Sequence, residues 1–187
     1  PNRVKSIESH WRSDINKRFK SINKFMLSIP LKSLTTNASA ADQVVIDNFM
    51  RELTEYSTGV LMSVDWQNPY QTQSYERGIA RAQAEAKAAL TAVEAASVPE
   101  LNVQAAALVT SVEHAAELKF LHDRANESLD KWLKDMLFQT RNILHEQLGI
   151  VDIDSIHDAI TERINVTSSR ARTIAATETS QASQRSV

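Results

Sequence analysis

The sequence predicts an all-α protein, and three observations point to this fold class. Apolar residues recur at steps of three and four along most of the chain, which is the spacing of one face of an α-helix. Only three glycines and four prolines occur among the 187 residues, so tight turns and hairpins have little support. No segment of useful length alternates apolar and polar residues as a half-buried strand does. We therefore expect an elongated multi-helix bundle.

The first segment predicts a long helix that ends before Pro30, because the residue ahead of a proline disfavours the helical conformation. Its apolar stripe comprises Val4, Ile7, Trp11, Ile15, Phe19, Ile22, Met26 and Ile29. Residues 1–32 carry 8 Lys and Arg against 2 Asp and Glu, whereas the rest of the chain carries 13 against 21. The two parts therefore have net charges of +6 and −8, and we expect the first to be a basic helical arm.

A basic helix that also carries aromatic residues is suited to phosphates or to an acidic protein surface. The side chains expected to contact DNA or an acidic partner are Arg12, Lys17, Arg18, Lys20 and Lys24. The alternative interpretation is a solvated helix face without a partner.

Beyond Pro30 the pattern predicts a polar linker at residues 33–40 and then a second helix. Asn37 or Ser39 is the expected cap of this helix, which runs to about Met62. The pair Asn68-Pro69 marks a turn before a third helix that includes the alanine-rich residues 80–96.

The second half of the chain contains clearer helix start and stop signals. Ser97–Glu100 combines an N-cap serine, a first-turn proline and a capping-box glutamate, and it predicts the start of a fourth helix. The pattern does not decide whether one helix or two follow up to Gly149, which is a natural residue after a helix end. Asp152 or Asp154 then caps a short helix, and Thr167 or Ser168 caps the last one, which gives six or seven helices in total.

The residues that enzymes use are scarce in this chain. With three glycines, it contains no P-loop, dinucleotide-binding fingerprint or nucleophile elbow. Cysteine is absent, which excludes disulfides, thiolate metal ligands and thiol nucleophiles and fits a reducing compartment. None of the five histidines forms an H-E-x-x-H pair, and we expect them to be solvated. We expect no enzyme, no cofactor and no metal.

No apolar run approaches the ~20 residues that span a bilayer, and the N-terminal segment lacks the apolar stretch of a secretory signal. The sequence therefore predicts a soluble protein that is not exported.

The last stretch of the chain is its most distinctive segment, and we call residues 170–182 the C-terminal motif. It reads Arg170-Ala171-Arg172-Thr173-Ile174-Ala175-Ala176-Thr177-Glu178-Thr179-Ser180-Gln181-Ala182. Spacing alone predicts an amphipathic helix. The order R-A-x-x-I-A-x-T-E-x-x-x-A resembles an element of the phage head-morphogenesis family, the minor head proteins related to phage Mu protein F.

The resemblance extends upstream to Trp66. An aromatic-rich entry leads into Tyr75-x-x-Gly78-Ile79-x-x-Ala82, and the Pro99 helix start, Gly149 and a short helix with isoleucine at every fourth position follow in the family's order. The motif positions are Trp66, Tyr70, Tyr75, Gly78, Arg170, Ala171, Ile174, Ala175, Thr177 and Glu178. The basic segment has no counterpart in the family pattern, and family members usually continue beyond the C-terminal motif.

This resemblance implies a head-morphogenesis domain at residues 41–187 and a minor virion protein of a tailed phage. Such a protein lies inside the capsid near the portal vertex, after assembly in the host cytoplasm, and acts in capsid assembly and in DNA packaging or delivery. Its implied partners are the portal protein, capsid or scaffold proteins and double-stranded DNA, with self-association into a homo-oligomer as a further alternative. Within the C-terminal motif, we expect Ile174 to face the core and Glu178 to pair with Arg170 or with a basic group on another helix.

Two other functional classes are compatible with the sequence. The chain could be an internal scaffold-like protein that is ejected with the DNA, or the helical carrier part of a longer polypeptide with a C-terminal enzyme or toxin. The length of the gene and the identity of its neighbours discriminate between these classes.

Overall fold

The computed structural model describes residues 2–31, 40–63, 66–94 and 112–185. Within these ranges it contains five α-helices and no strand, so the predicted all-α fold class is confirmed. The helices are α1 (Asn2–Ser28), α2 (Ala40–Leu61), α3 (Asn68–Glu94), α4 (Val112–Gln147) and α5 (Ile153–Arg185). The expected caps at Asn37 and Ser39, the linker ahead of Ala40 and the helix start at Ser97–Glu100 lie outside the described residues.

Local sequence signals account for several helix ends. Helix α1 ends at Ser28, two residues before Pro30. Gly149 follows α4 with a φ of +80°, a left-handed conformation that glycine adopts without strain. Asp152 caps α5, since its Oδ1 accepts a hydrogen bond of 2.9 Å from the Ser155 backbone N–H. This bond, together with one from the Ser155 hydroxyl, lowers the pKa of the Asp152 carboxyl.

Two features of the second half differ from, or complete, the sequence prediction. Residues 112–147 form one continuous helix, and residues 97–111 of the predicted fourth helix lie outside the described residues. The prediction of a new helix capped by Thr167 or Ser168 is wrong, because α5 is continuous from Ile153 to Arg185. Thr167 Oγ1 donates to the Arg163 carbonyl oxygen at 3.0 Å, so its hydroxyl is satisfied inside the helix and does not cap a new one.

The tertiary contacts divide the chain into two compact units. Unit 1 comprises residues 1–11, 65–125 and 175–187, and unit 2 comprises residues 12–64 and 126–174. This division differs from the expected one, since the basic segment 1–32 does not form a unit of its own. Its apolar stripe is buried from Ile7 to Ile29, with at most 4% of each of these side chains exposed, because it packs as core.

Unit 2 is a four-helix bundle, and four polar contacts close a ring around it. We call them the rim contacts: Ser21 with Tyr56 joins α1 to α2, Asp47 with Arg141 joins α2 to α4, Asp135 with Arg170 joins α4 to α5, and Thr161 with Asn23 joins α5 back to α1. The core inside the ring consists of apolar side chains with almost no exposed surface, among them Ile22, Met26, Phe49, Leu53, Met136, Leu144, Ile156, Ile160 and Ile164.

Among the described residues, unit 1 has a smaller apolar core than unit 2 and a more polar interior. Its core cluster consists of Tyr75, Ile79, Leu121 and Ala182, with Leu118 packed against it. Polar side chains buried in the same unit are Gln67, Gln71, Ser74, Glu178 and Thr179. Buried polar groups are costly unless they are hydrogen-bonded, so these side chains constrain how the helices of unit 1 meet.

Candidate functional site

The upstream motif residues lie on α3 or directly before it. Tyr75 is 2% exposed and Gly78 is buried one turn later, so both belong to the packed face of the helix. Tyr70 is half-buried and its ring is stacked on Trp11 of α1, with the two ring centroids 5.8 Å apart. Trp66 is half-buried in the turn that precedes α3.

The two separated parts of the family pattern meet in the core of unit 1. Tyr75 and Ile79 come from the upstream part, and Ala182 is the last residue of the C-terminal motif. All three contact the cluster that contains Leu121 of α4. The sequence indicated that each part is helical but did not predict that they share one core.

Glu178 is a buried charged side chain in this region. Its side chain is 5% exposed, and its Oε1 accepts hydrogen bonds from Arg124 Nη2 at 2.6 Å and from Arg124 Nε at 3.1 Å. Arg124 Nη2 also donates to the Gln181 side-chain oxygen. The expected basic partner on another helix is therefore Arg124 of α4, which sequence reasoning did not single out.

Arg170 does not provide the charge for Glu178. Its Nη1 lies 3.5 Å from Asp135 Oδ2 within unit 2, where both side chains remain about half exposed. Arg170 is also two helical turns from Glu178 on α5, which is beyond the reach of an i,i+4 pair. Its role in the fold is the rim contact between α4 and α5.

The remaining positions of the C-terminal motif separate into packed and exposed ones. Ala171 and Ala175 are buried, with 4% and 1% of their side chains exposed. Thr177 is exposed. Ile174 is half-buried, so it lies at the edge of the packed face, where the sequence predicted a position in the core. The small alanines occupy the centre of the buried face, which allows close approach of the neighbouring helices.

Two buried oxygen atoms next to the Arg124 pair lack a hydrogen-bond partner among the described residues. They are Oε2 of Glu178 and Oε1 of Gln71. The amide nitrogen of Gln71 donates to the Leu121 carbonyl oxygen at 3.0 Å, so Gln71 also lies against α4, one turn before Arg124. An unsatisfied buried acceptor is normally compensated by water.

Two histidines of α4 make specific contacts, although the sequence suggested solvated positions for all five. His114 Nδ1 shares a hydrogen bond with the Tyr75 hydroxyl, and His122 Nε2 shares one of 3.2 Å with Thr72 Oγ1. Both imidazoles are half-buried. Burial raises the pKa of the Tyr75 phenol, and the carboxylate of Glu117 raises it further.

The basic residues of α1 that belong to unit 2 are arranged unequally. Lys17, Lys20 and Lys24 are exposed and lie within about 60° of one another on the face opposite the buried stripe, by the 100° per residue of an α-helix. We call these three the basic stripe. Lys17 also pairs with Asp14 at 3.2 Å while its side chain stays 73% exposed.

The other two expected contact residues do not belong to this stripe. Arg18 is half-buried and donates to the Val60 carbonyl oxygen, so its guanidinium helps to hold α1 against α2. Arg12 is exposed but lies about 110° around the helix from the centre of the stripe.

A groove on unit 2 was not anticipated from the sequence. It lies between α2 and α4, has a volume of about 410 Å³, and is lined by Asp47, Met50, Arg51, Thr54, Glu55, Leu137, Phe138 and Arg141. We call it the α2–α4 groove. Phe138 is 61% exposed on its wall, which is unusual for a large aromatic side chain.

In the part of the chain that the structure describes, no group of three or more His, Asp or Glu side chains is arranged to hold a metal ion. Of the five helices, none combines the length and the apolar character that crossing a membrane requires. The described residues do present a buried ion pair and a groove.

No family model, curated protein or solved structure matches the chain.

Proposed function

We propose that this chain is a minor structural protein of a tailed-phage head, which acts at the portal vertex in capsid assembly and in DNA packaging or delivery. It works through its surfaces and not as an enzyme. One observation carries the proposal: the two parts of the family pattern, although separated by α4 along the chain, contribute Tyr75, Ile79 and Ala182 to one core cluster.

The ion pair of Glu178 supports the same proposal. Glutamate is rarely buried unless it is paired, and here the glutamate of the C-terminal motif binds Arg124 through two nitrogen atoms. The motif therefore fixes the contact between α5 and α4. In a protein of this class, that contact shapes the surface offered to the portal or to a capsid protein.

The experiment is a deletion of the gene in its phage, followed by complementation with the wild-type chain, Glu178→Gln or Glu162→Gln. Glu162 is an exposed glutamate on the same helix, so its variant controls for the chemical change. We expect the chain in purified heads at low copy number relative to the coat protein. We also expect a loss of infectious titre on deletion, rescue by Glu162→Gln, and reduced incorporation of Glu178→Gln.

Absence of the chain from purified heads, or an unchanged titre after deletion, would overturn the proposal. The ejected-protein alternative makes a separate prediction, since heads that have released their DNA would then have lost the chain. A carrier for an enzyme or toxin would leave particle assembly intact.

A further inference from the structure

The α2–α4 groove is open to solvent and wide enough to accept an aromatic side chain. A cavity of roughly 150 Å³ is large enough to hold benzene, and the groove offers about 410 Å³ between Met50 of α2 and Leu137 of α4. Phe138 stands on the edge of this groove with 61% of its surface exposed. The groove therefore combines an apolar floor at Met50 and Leu137 with an exposed aromatic residue, and a self-complementary interface can use both.

The charges along the groove identify what it binds. Arg51 and Glu55 are one helical turn apart on α2, and both are exposed. The structure gives neither of them an ion pair or hydrogen bond with any described residue. Asp47 and Arg141, by contrast, already pair with each other within the chain. The groove thus offers one acceptor and one donor of opposite charge, separated by a single turn.

Such a doublet complements an antiparallel copy of itself. If a two-fold axis passes beside Thr54, which lies between Arg51 and Glu55 in sequence, Arg51 faces the partner's Glu55 and Glu55 faces the partner's Arg51. An isologous interface repeats every contact twice in this way. We propose that the α2–α4 groove is the interface of a homodimer, in which Phe138 of each copy enters the groove of the other.

This dimer does not depend on the proposed role in the phage head, and it can be tested on the purified chain by sedimentation equilibrium. We expect a concentration-dependent dimer of the wild-type chain. Reversal of one charge, by Arg51→Glu or Glu55→Arg, should weaken it about tenfold or more, because like charges then meet across the axis. The double reversal Arg51→Glu with Glu55→Arg restores opposite charges and should return the affinity to within about threefold of wild type.

A matched pair of phenylalanines tests the apolar part. Phe138→Ala should weaken the dimer, whereas Phe120→Ala, which removes a 46% exposed phenylalanine of the same helix outside the groove, should not. Circular dichroism on each variant checks that the helices remain folded.

The absence of cysteine allows a direct test of the two-fold axis. Thr54→Cys places the only thiol of the chain next to the axis, so mild oxidation should give a covalent dimer at low protein concentration. Ser169→Cys, at an exposed position of α5, is the control and should give little covalent dimer. A chain that stays monomeric at all concentrations overturns the proposal. So does an oligomer that is unaffected by both single charge reversals, because another surface then forms it.

Discussion

Arg124 of α4 and Glu178 of α5 form an ion pair in which one carboxylate oxygen accepts both Nε and Nη2 of the guanidinium. The glutamate is nearly inaccessible at 5% exposure, whereas the arginine retains 30% of its surface. The carboxylate therefore depends on Arg124 for compensation of its charge more than the guanidinium depends on Glu178.

Loss of the arginine should harm stability more than neutralisation of the glutamate. Arg124→Ala leaves a buried carboxylate without its donor and should lower the free energy of unfolding by about 1–3 kcal/mol, the usual cost of an unsatisfied buried group. Glu178→Gln keeps the shape and an acceptor oxygen and should cost less. Urea denaturation measures both values. Equal losses would indicate that the Glu178 carboxylate is hydrated and not dependent on Arg124.

Isoleucines of α5 provide a second comparison. Ile164 is fully buried, so Ile164→Ala should cost roughly 2–5 kcal/mol through lost transfer energy and the cavity left behind. Ile174 is half-buried, and Ile174→Ala should therefore cost clearly less, about 1 kcal/mol. Thermal and urea unfolding of the two variants give the comparison. A larger loss at Ile174 than at Ile164 would contradict the burial of these two residues.

Two glycines should respond to alanine in opposite directions. Gly149 has a φ of +80°, where any side chain is strained, so Gly149→Ala should destabilise the protein by about 1 kcal/mol. Gly59 lies within α2 with no atom close to the position of an added Cβ, so Gly59→Ala should stabilise by about 0.5–1 kcal/mol. The midpoint of urea unfolding should shift down for the first variant and up for the second.

The basic stripe should govern any binding of duplex DNA. Replacement of Lys17, Lys20 and Lys24 by glutamate should weaken binding in a retardation assay, and each lost phosphate contact should reduce the salt slope by about 0.9. Arg18 stays unchanged, because its bond to Val60 serves the fold. The control reverses the exposed α4 residues Lys119, Lys131 and Lys134, which gives the same change in net charge. Similar weakening in both triple variants would mean that only net charge matters.

The free energy of unfolding at alkaline pH should depend on the environment of Tyr75. Burial and Glu117 raise its pKa above the ordinary value of 10.0. The native state then holds the phenolic proton more tightly than the unfolded chain, so this contribution is fully present below pH 10 and is lost as the pH rises through the native pKa. Tyr75→Phe should remove this loss and flatten the decline of unfolding free energy above pH 10. An unchanged decline of the unfolding free energy in Tyr75→Phe would mean that groups other than Tyr75 cause it.

The helical period alone predicts most of the fold. The stripe of α1 is buried from Ile7 to Ile29 as its spacing indicates, and Gly149 and Asp152 end and begin helices where the local chemistry requires. The same reasoning predicted too much burial for Ile174. Helical geometry places it about 70° from the centre of the buried face of α5, which small alanines occupy. A single large apolar residue among alanines draws the apparent apolar face toward itself.

The candidate sites depended on tertiary structure and were harder to predict. Arg124 and Glu178 are separated by 54 residues, and no periodic pattern links an arginine on one helix to a glutamate on another. The same holds for Arg18, whose charge suggested a ligand although its position between α1 and α2 makes it a structural donor. The α2–α4 groove exists only once two helices lie side by side.

The ring of rim contacts in unit 2 affects the order in which the four helices can pack around the core. Apolar cores tolerate rearrangement as long as their volume is kept. A core of leucine, isoleucine and methionine therefore discriminates only weakly between this bundle and a bundle in which two helices have exchanged places. Each rim contact links one pair of neighbouring helices, and the four together define the cyclic order α1, α2, α4, α5. Loss of all four contacts should therefore leave the helix content unchanged and reduce the preference for this order of helices over alternatives.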